Sequence, residues 1–152
     1  MLFSKVKLAV VGFLLTATLY AENYHQTHPK AWQATTLNEA AMALYGKQKF
    51  STLKQTLNME LFTPHALVED AQKIPVRIRS NIPAKSVAIF YDGNDRPLVA
   101  VFHKDNFEKI DVEIQIRAER KGTLFAVIES LNGVLYYKRA FIDVLCLPCM
   151  AK

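Results

Sequence analysis

A chain of 152 residues, 51 % of them hydrophobic, is long enough to close one core and short for two ordinary domains. Its formal charge is +5, but lysines and arginines are scattered among acids rather than gathered in a stripe, which argues against a nucleic-acid partner. Two of those charges, Lys5 and Lys7, sit in a segment expected to be removed, which lowers the mature chain to +3.

That segment is residues 1–21. Lys5 and Lys7 precede the apolar run Leu8-Ala9-Val10-Val11-Gly12-Phe13-Leu14-Leu15, and small residues lead to Ala21, the pattern of a secretory signal cleaved after Ala21. The run is short for a membrane span and ends without a basic stop-transfer cluster, so a stable anchor is the lesser alternative. Export implies an oxidising compartment, where two nearby cysteines are expected to pair unless a system keeps them reduced. Residues 22–35 show no sustained period and read as a leader. His25 and His28 within it could bind a metal, but no acidic or cysteine partner stands at ligand spacing, which favours a solvated tail.

The domain proper is expected over residues 36–145. Thr36-Leu37-Asn38-Glu39 is a capping box that opens a short helix, Leu37, Ala40, Ala41 and Leu44 form its apolar side, and Gly46 is placed to end it. From Leu53 the period changes to two. Leu53, Gln55, Leu57 and Met59 alternate with polar residues until Phe62-Thr63-Pro64 breaks the strand. Ile74, Val76 and Ile78 predict a strand with one wet face, and Pro75 puts that stretch at an edge or a strand start, because proline cannot donate to a ladder.

Val87, Ile89 and Tyr91 make the next strand, closed by Asp92-Gly93-Asn94-Asp95 and Pro97. Leu98 to His103 follows as a continuous apolar run, then Val112, Ile114 and Ile116 as a half-buried strand. Gly122 turns the chain into Leu124, Ala126 and Ile128, and Asn132-Gly133 signals a hairpin into Val134 to Val144. About seven strands after one helix predict an all-β protein, an antiparallel sandwich of immunoglobulin-like type, with a carboxyl-terminal arm over residues 146–152.

Catalytic signatures are lacking: there is no Gly-x-Ser-x-Gly elbow, no His-Glu-x-x-His and no glycine-rich loop opening a helix, and neither a cofactor nor a resident metal is expected. His65 and His103 stand isolated. Asp92, Asp95 and Asp105 do not match an EF-hand loop and read as turn formers. Both cysteines lie in the arm, as Cys146-Leu147-Pro148-Cys149. A Cys-x-x-Cys can close a small disulfide or lower the pKa of one thiol. No helix follows to support thioredoxin-type chemistry, and a zinc site would need two further ligands. A thiol pair on a tail is suited to visiting other proteins.

From about Leu53 onward the chain resembles SoxY, the sulfur-carrying subunit of the periplasmic thiosulfate-oxidation (Sox) system. The likeness is carried by Leu61 to Val76, ending Lys73-Ile74-Pro75-Val76, by Ala88 to Phe102 through Asn94-Asp95-Arg96-Pro97-Leu98-Val99-Ala100-Val101-Phe102, by Val112 to Arg117, and by Leu131-Asn132-Gly133-Val134-Leu135-Tyr136. The helix at Thr36 to Tyr45 has a counterpart as well. The resemblance implies an immunoglobulin-like fold and a carrier rather than an enzyme. Its partners would be a SoxZ-like subunit in a heterodimer, a haem enzyme that loads thiosulfate, and a hydrolase that releases sulfate. The family carries sulfur on a cysteine within Gly-Gly-Cys-Gly-Gly, which matches Cys149. Leu147-Pro148 and Met150-Ala151 replace the four glycines, so this arm is bulkier and stiffer. Cys146 is an additional thiol that could resolve a persulfide on Cys149. No twin arginine precedes the apolar run, so the general secretory route is expected. Two rival readings stay open: a thiol-disulfide redox partner using Cys146 and Cys149 as a pair, and a secreted interaction module without chemistry of its own.

Overall fold

The computed structural model describes residues 24–145. The signal segment and the arm with Cys146 and Cys149 lie outside the described residues.

The leader is helical where it is described. α1 (Tyr24–Thr27) and α2 (Pro29–Gln33) are each about one turn long. Pro29 opens α2, where its missing N–H is no loss, and the indole Nε1 of Trp32 donates to the Tyr24 carbonyl at 3.0 Å. Elements this short have no period to read, and their order comes from burying Ala31 completely. His25 stacks on Trp32 with ring centroids 3.7 Å apart and His28 on Tyr24 at 5.0 Å, so neither imidazole belongs to a loose tail.

α3 (Leu37–Phe50) opens as the capping box predicts, with the Thr36 hydroxyl accepting from the Glu39 amide at 3.3 Å. Gly46 does interrupt the helix, at φ +80°, a left-handed conformation that favours glycine, and one further turn follows to Phe50. Ala40, Ala41 and Leu44 face inward.

Eight strands follow: β1 (Lys54–Gln55), β2 (Met59–Phe62), β3 (Ile74–Ser80), β4 (Ala84–Tyr91), β5 (Leu98–Phe107), β6 (Ile110–Ile116), β7 (Gly122–Ser130) and β8 (Leu135–Ile142). They form a five-stranded sheet of order β1-β8-β7-β4-β5 and a three-stranded sheet of order β2-β3-β6. The sandwich is as the strand pattern predicts, with two refinements. The first expected strand is two, because the chain changes sheets at Thr56-Leu57-Asn58, where Leu57 turns outward to 90 % exposure. And β1 runs parallel to β8, Lys54 opposite Tyr136, while every other pairing of these strands is antiparallel.

β3 alternates buried and outward residues as read from its sequence. It is the middle strand of its sheet, yet Pro75 lies beyond the last residue paired with β2 and faces only β6, at Gln115, so no ladder bond is forfeited on the β2 side. On the outer face Arg77 grips Asp111 with two hydrogen bonds of 2.8 and 2.9 Å. Both side chains are well exposed, so the pair contributes little to stability.

One core fills the space between the sheets, around Met59, Ile74, Ile78, Ile89, Tyr91, Leu124, Ile128 and Ile142. A second lies on the far face of the five-stranded sheet, where Ala31, Ala40, Ala41 and Leu44 cover Ala88, Phe90, Leu98, Val127 and Leu135. β4 and β7 are therefore covered on both faces, the physical reason their sequences are apolar almost throughout.

Candidate functional site

The two cysteines singled out in the sequence cannot be placed, but the root from which their arm leaves the domain can. β8 ends at Ile142, opposite Gly122 at the start of β7. The chain then makes one more attachment. Val68 bridges Val144 in parallel: the Val68 amide donates to the Asp143 carbonyl at 2.9 Å, and the Leu145 amide donates to the Val68 carbonyl at 3.0 Å. Val144 is buried in the inter-sheet core, with Val68 packed against it. Cys146 is thus the residue immediately after a hydrogen-bonded position. The loop that holds the root is itself fixed, since Ala118 donates to the Ala71 carbonyl at 2.8 Å and Asp70 accepts from the Gln72 amide at 3.0 Å.

The same end of the sandwich carries the β4–β5 and β6–β7 loops, tied together by side chains predicted as turn formers. Asp92 accepts from the Thr123 amide at 2.6 Å. Asn94 donates to the Arg117 carbonyl at 3.0 Å and accepts from the Glu119 amide at 2.9 Å. Asp95 pairs with Arg120 at 2.8 Å, while its own amide donates to Glu119 at 2.7 Å. The loops approach so closely that a Cβ on Gly122 would stand 2.5 Å from an Asp92 carboxylate oxygen and 2.6 Å from the Gly93 nitrogen. Only glycine permits this contact.

Tyr91 braces the end from within. Its hydroxyl donates to the Arg120 carbonyl at 2.5 Å, and the phenol's pKa is pushed up to about 12, first by burial and then by the Asp92 charge. Arg120 pulls it partly back down, and Asp143 beside the root adds a smaller upward push. The arm therefore springs from a rigid, polar rim.

The other sequence candidates do not converge on this rim. His103 lies in β5, with its Nδ1 3.0 Å from the Tyr24 hydroxyl; His65 is exposed, and Asp105 is an exposed residue of β5. Among the described residues no group of His, Cys, Asp and Glu is arranged to hold a metal ion, and no helix is long and apolar enough to cross a membrane. Sequence reasoning missed Val68 and Asp143, because a two-residue bridge between segments 76 positions apart leaves no periodic signal.

Comparison with known proteins bears on the whole domain. The solved structure of the sulfur carrier protein SoxY from Chlorobium limicola f thiosulfatophilum superposes with a TM-score of 0.63 at 24 % identity, covering 72 % of this chain and 96 % of that one. A variant of the superoxide reductase (neelaredoxin) from Ignicoccus hospitalis follows at a TM-score of 0.48 and 11 % identity, with 63 % of this chain and 97 % of that one covered. A search of curated proteins returns no match. The sequence model described as "Sulfur oxidation protein SoxY" matches residues 41–149, from within α3 to the second cysteine. The chain belongs to the SoxY family of sulfur oxidation proteins.

Proposed function

We propose that the protein is a periplasmic sulfur carrier of thiosulfate oxidation, with sulfur intermediates held covalently on Cys149. The observation that carries this reading is that the family match runs through the sandwich and reaches residue 149. The arm root supports it: Leu145, hydrogen-bonded to Val68, fixes the position after which the cysteine segment begins in the sequence. The chain itself is a carrier on which partner enzymes act, a haem enzyme to load and a hydrolase to release sulfate. Its standing partner is a SoxZ-like subunit in a heterodimer. Export follows the signal pattern of residues 1–21.

Cys146 gives this member a second thiol three positions from the first. With a persulfide on Cys149, attack of the Cys146 thiolate on the Cys149 sulfur breaks the bond to the outer sulfur. Hydrosulfide leaves and a Cys146–Cys149 disulfide remains, so no outside oxidant is required. A thiol-disulfide partner using the pair without sulfur cargo is the rival reading.

Intact mass of the mature chain, isolated without reductant from its own periplasm and mapped to the last peptide, separates the two. The expected result is a sulfur- or thiosulfate-sized addition on Cys149 that a reducing agent removes. Cys149→Ser abolishes that addition and leaves the melting temperature unchanged, since the residue lies past Leu145, the last of the described residues to be paired. Loading that persists in Cys149→Ser, or a disulfide that never yields to an adduct in the presence of thiosulfate and the partner enzymes, rejects the carrier role.

A further inference from the structure

The three-stranded sheet has a missing corner beside the arm root. β2 stops at Phe62, opposite Arg77, whereas β3 reaches back to Ile74 with β6 alone for a neighbour. A shallow groove of about 480 Å³ opens there, lined by Phe62, Thr63, Pro64, Pro75, Arg77 and Glu113. Pro75 has no N–H to offer at that free edge, so the corner does not invite another ladder strand. What it offers is carbon: the Phe62 side chain leaves the residue 46 % exposed, and two proline rings share the groove with it. Exposed apolar surface gathered in a groove marks a place of docking.

Charge narrows the occupant. Arg77, the one cation of the lining, is held by Asp111 through two hydrogen bonds, and Glu113 adds a negative charge beside it. An anionic ligand therefore finds no partner here, and the groove suits an apolar, uncharged segment.

Such a segment begins next to it in the chain. Val68, whose carbonyl accepts from the Leu145 amide, follows Pro64 by four positions. Four residues span at most about 14 Å, so the groove is no farther than that from the root. Leu67, on the way, is 52 % exposed. The bridge at the root is parallel, so the chain leaves Leu145 alongside the loop that runs from Val68 through the turn at Asp70 and Lys73 into Pro75. Cys149 follows Leu145 by four positions as well, and the sequence from Cys146 to Ala151 carries no charged side chain. Leu147, Pro148 and Met150 give it apolar groups to bury, which an arm of glycines lacks.

We propose that the segment following Leu145 rests in this groove, with Leu147 and Pro148 against Phe62, Pro64 and Pro75. The Cys149 thiol is then held against its own domain and meets reagents slowly. The inference concerns where the arm rests, and it holds whatever the thiol carries.

The test is alkylation of the reduced mature chain by iodoacetamide, in a Cys146→Ser background so that a single thiol is followed. Phe62→Ala, and Leu147→Gly combined with Pro148→Gly, are each expected to raise the Cys149 rate about tenfold, the change that loss of one apolar anchor gives. All three substitutions together raise it no further, as two sides of one contact require. The parent rate is expected to be independent of protein concentration. The two arm substitutions leave every residue of the sandwich unchanged, and cross-peaks between the Leu147 methyls and the Phe62 ring in the parent chain need no substitution at all. Absent cross-peaks, unchanged rates in the variants, effects that multiply, or protection that grows with protein concentration each overturn the proposal, the last by assigning the groove to a second copy.

Discussion

Tyr91 shows how a single buried side chain holds the end of the sandwich from which the arm emerges. Its ring fills the inter-sheet core while its hydroxyl reaches the Arg120 carbonyl in the β6–β7 loop. Tyr91→Phe keeps the ring and strands that carbonyl, and is expected to lower stability by about 1–2 kcal/mol in urea denaturation. The same phenol gives a pH signature. An ordinary tyrosine loses its proton near pH 10, whereas Tyr91 keeps its own to about 12. Between those values the unfolded chain has released a proton that the folded chain retains, so stability falls as pH rises across the window. Tyr45, also shifted upward, acts in the same direction. Denaturation midpoints measured from pH 9 to 12 are expected to decline, and less steeply in Tyr91→Phe; parallel slopes in the two proteins would dismiss this origin.

Among the elements, the bridge between Val68 and Val144 matters out of proportion to its length. It consists of two hydrogen bonds, and the donor of one of them is the Val68 amide. Val68→Pro deletes that donor and disturbs the carbonyl that Leu145 uses. Faster hydrogen exchange at the Leu145 amide is expected, with β4 and β7 protected as before; unaltered exchange at Leu145 would show that the root is held by packing alone. Local signals of this kind divide sharply into legible and illegible. The capping box at Thr36, the Asn132-Gly133 hairpin and the alternation of β3 each depend on neighbours within a few positions, and the sequence displays them directly. The helices at Tyr24–Thr27 and Pro29–Gln33, the change of sheet at Thr56-Leu57-Asn58 and the parallel pairing of β1 with β8 depend on residues some 60 to 110 positions away. Leu57 illustrates the failure: its alternation is correct for a strand, yet the chain leaves one sheet for the other at that point and turns it to solvent. Cys146 and Cys149, picked out by residue type and position, lie outside the described residues; the rim beside the arm root was not legible, since Tyr91, Asp92 and Arg120 meet only through the fold.

At the scale of the molecule, the helical layer makes this more than a two-sheet sandwich. α2 and α3 turn the outer face of the five-stranded sheet into a second core, and α3 also roofs a polar cleft at Glu129. β4 and β7 consequently lie in the middle of three layers, while β5 and β6 each have one free edge. This arrangement ranks the parts of the protein by how readily they open. Amides of Ala88, Ile89, Val127 and Ile128 lie between the two cores, so their exchange is expected to report the global unfolding free energy. The edges and the arm root exchange through smaller, local openings. A destabilising lesion in the helical layer then strips one cover from β4 and β7 and leaves the other in place. Thermal opening is therefore expected to start at the sheet edges and the arm root and to reach β4 and β7 last, so that recovery after partial opening rests on the two strands that a core covers on each face.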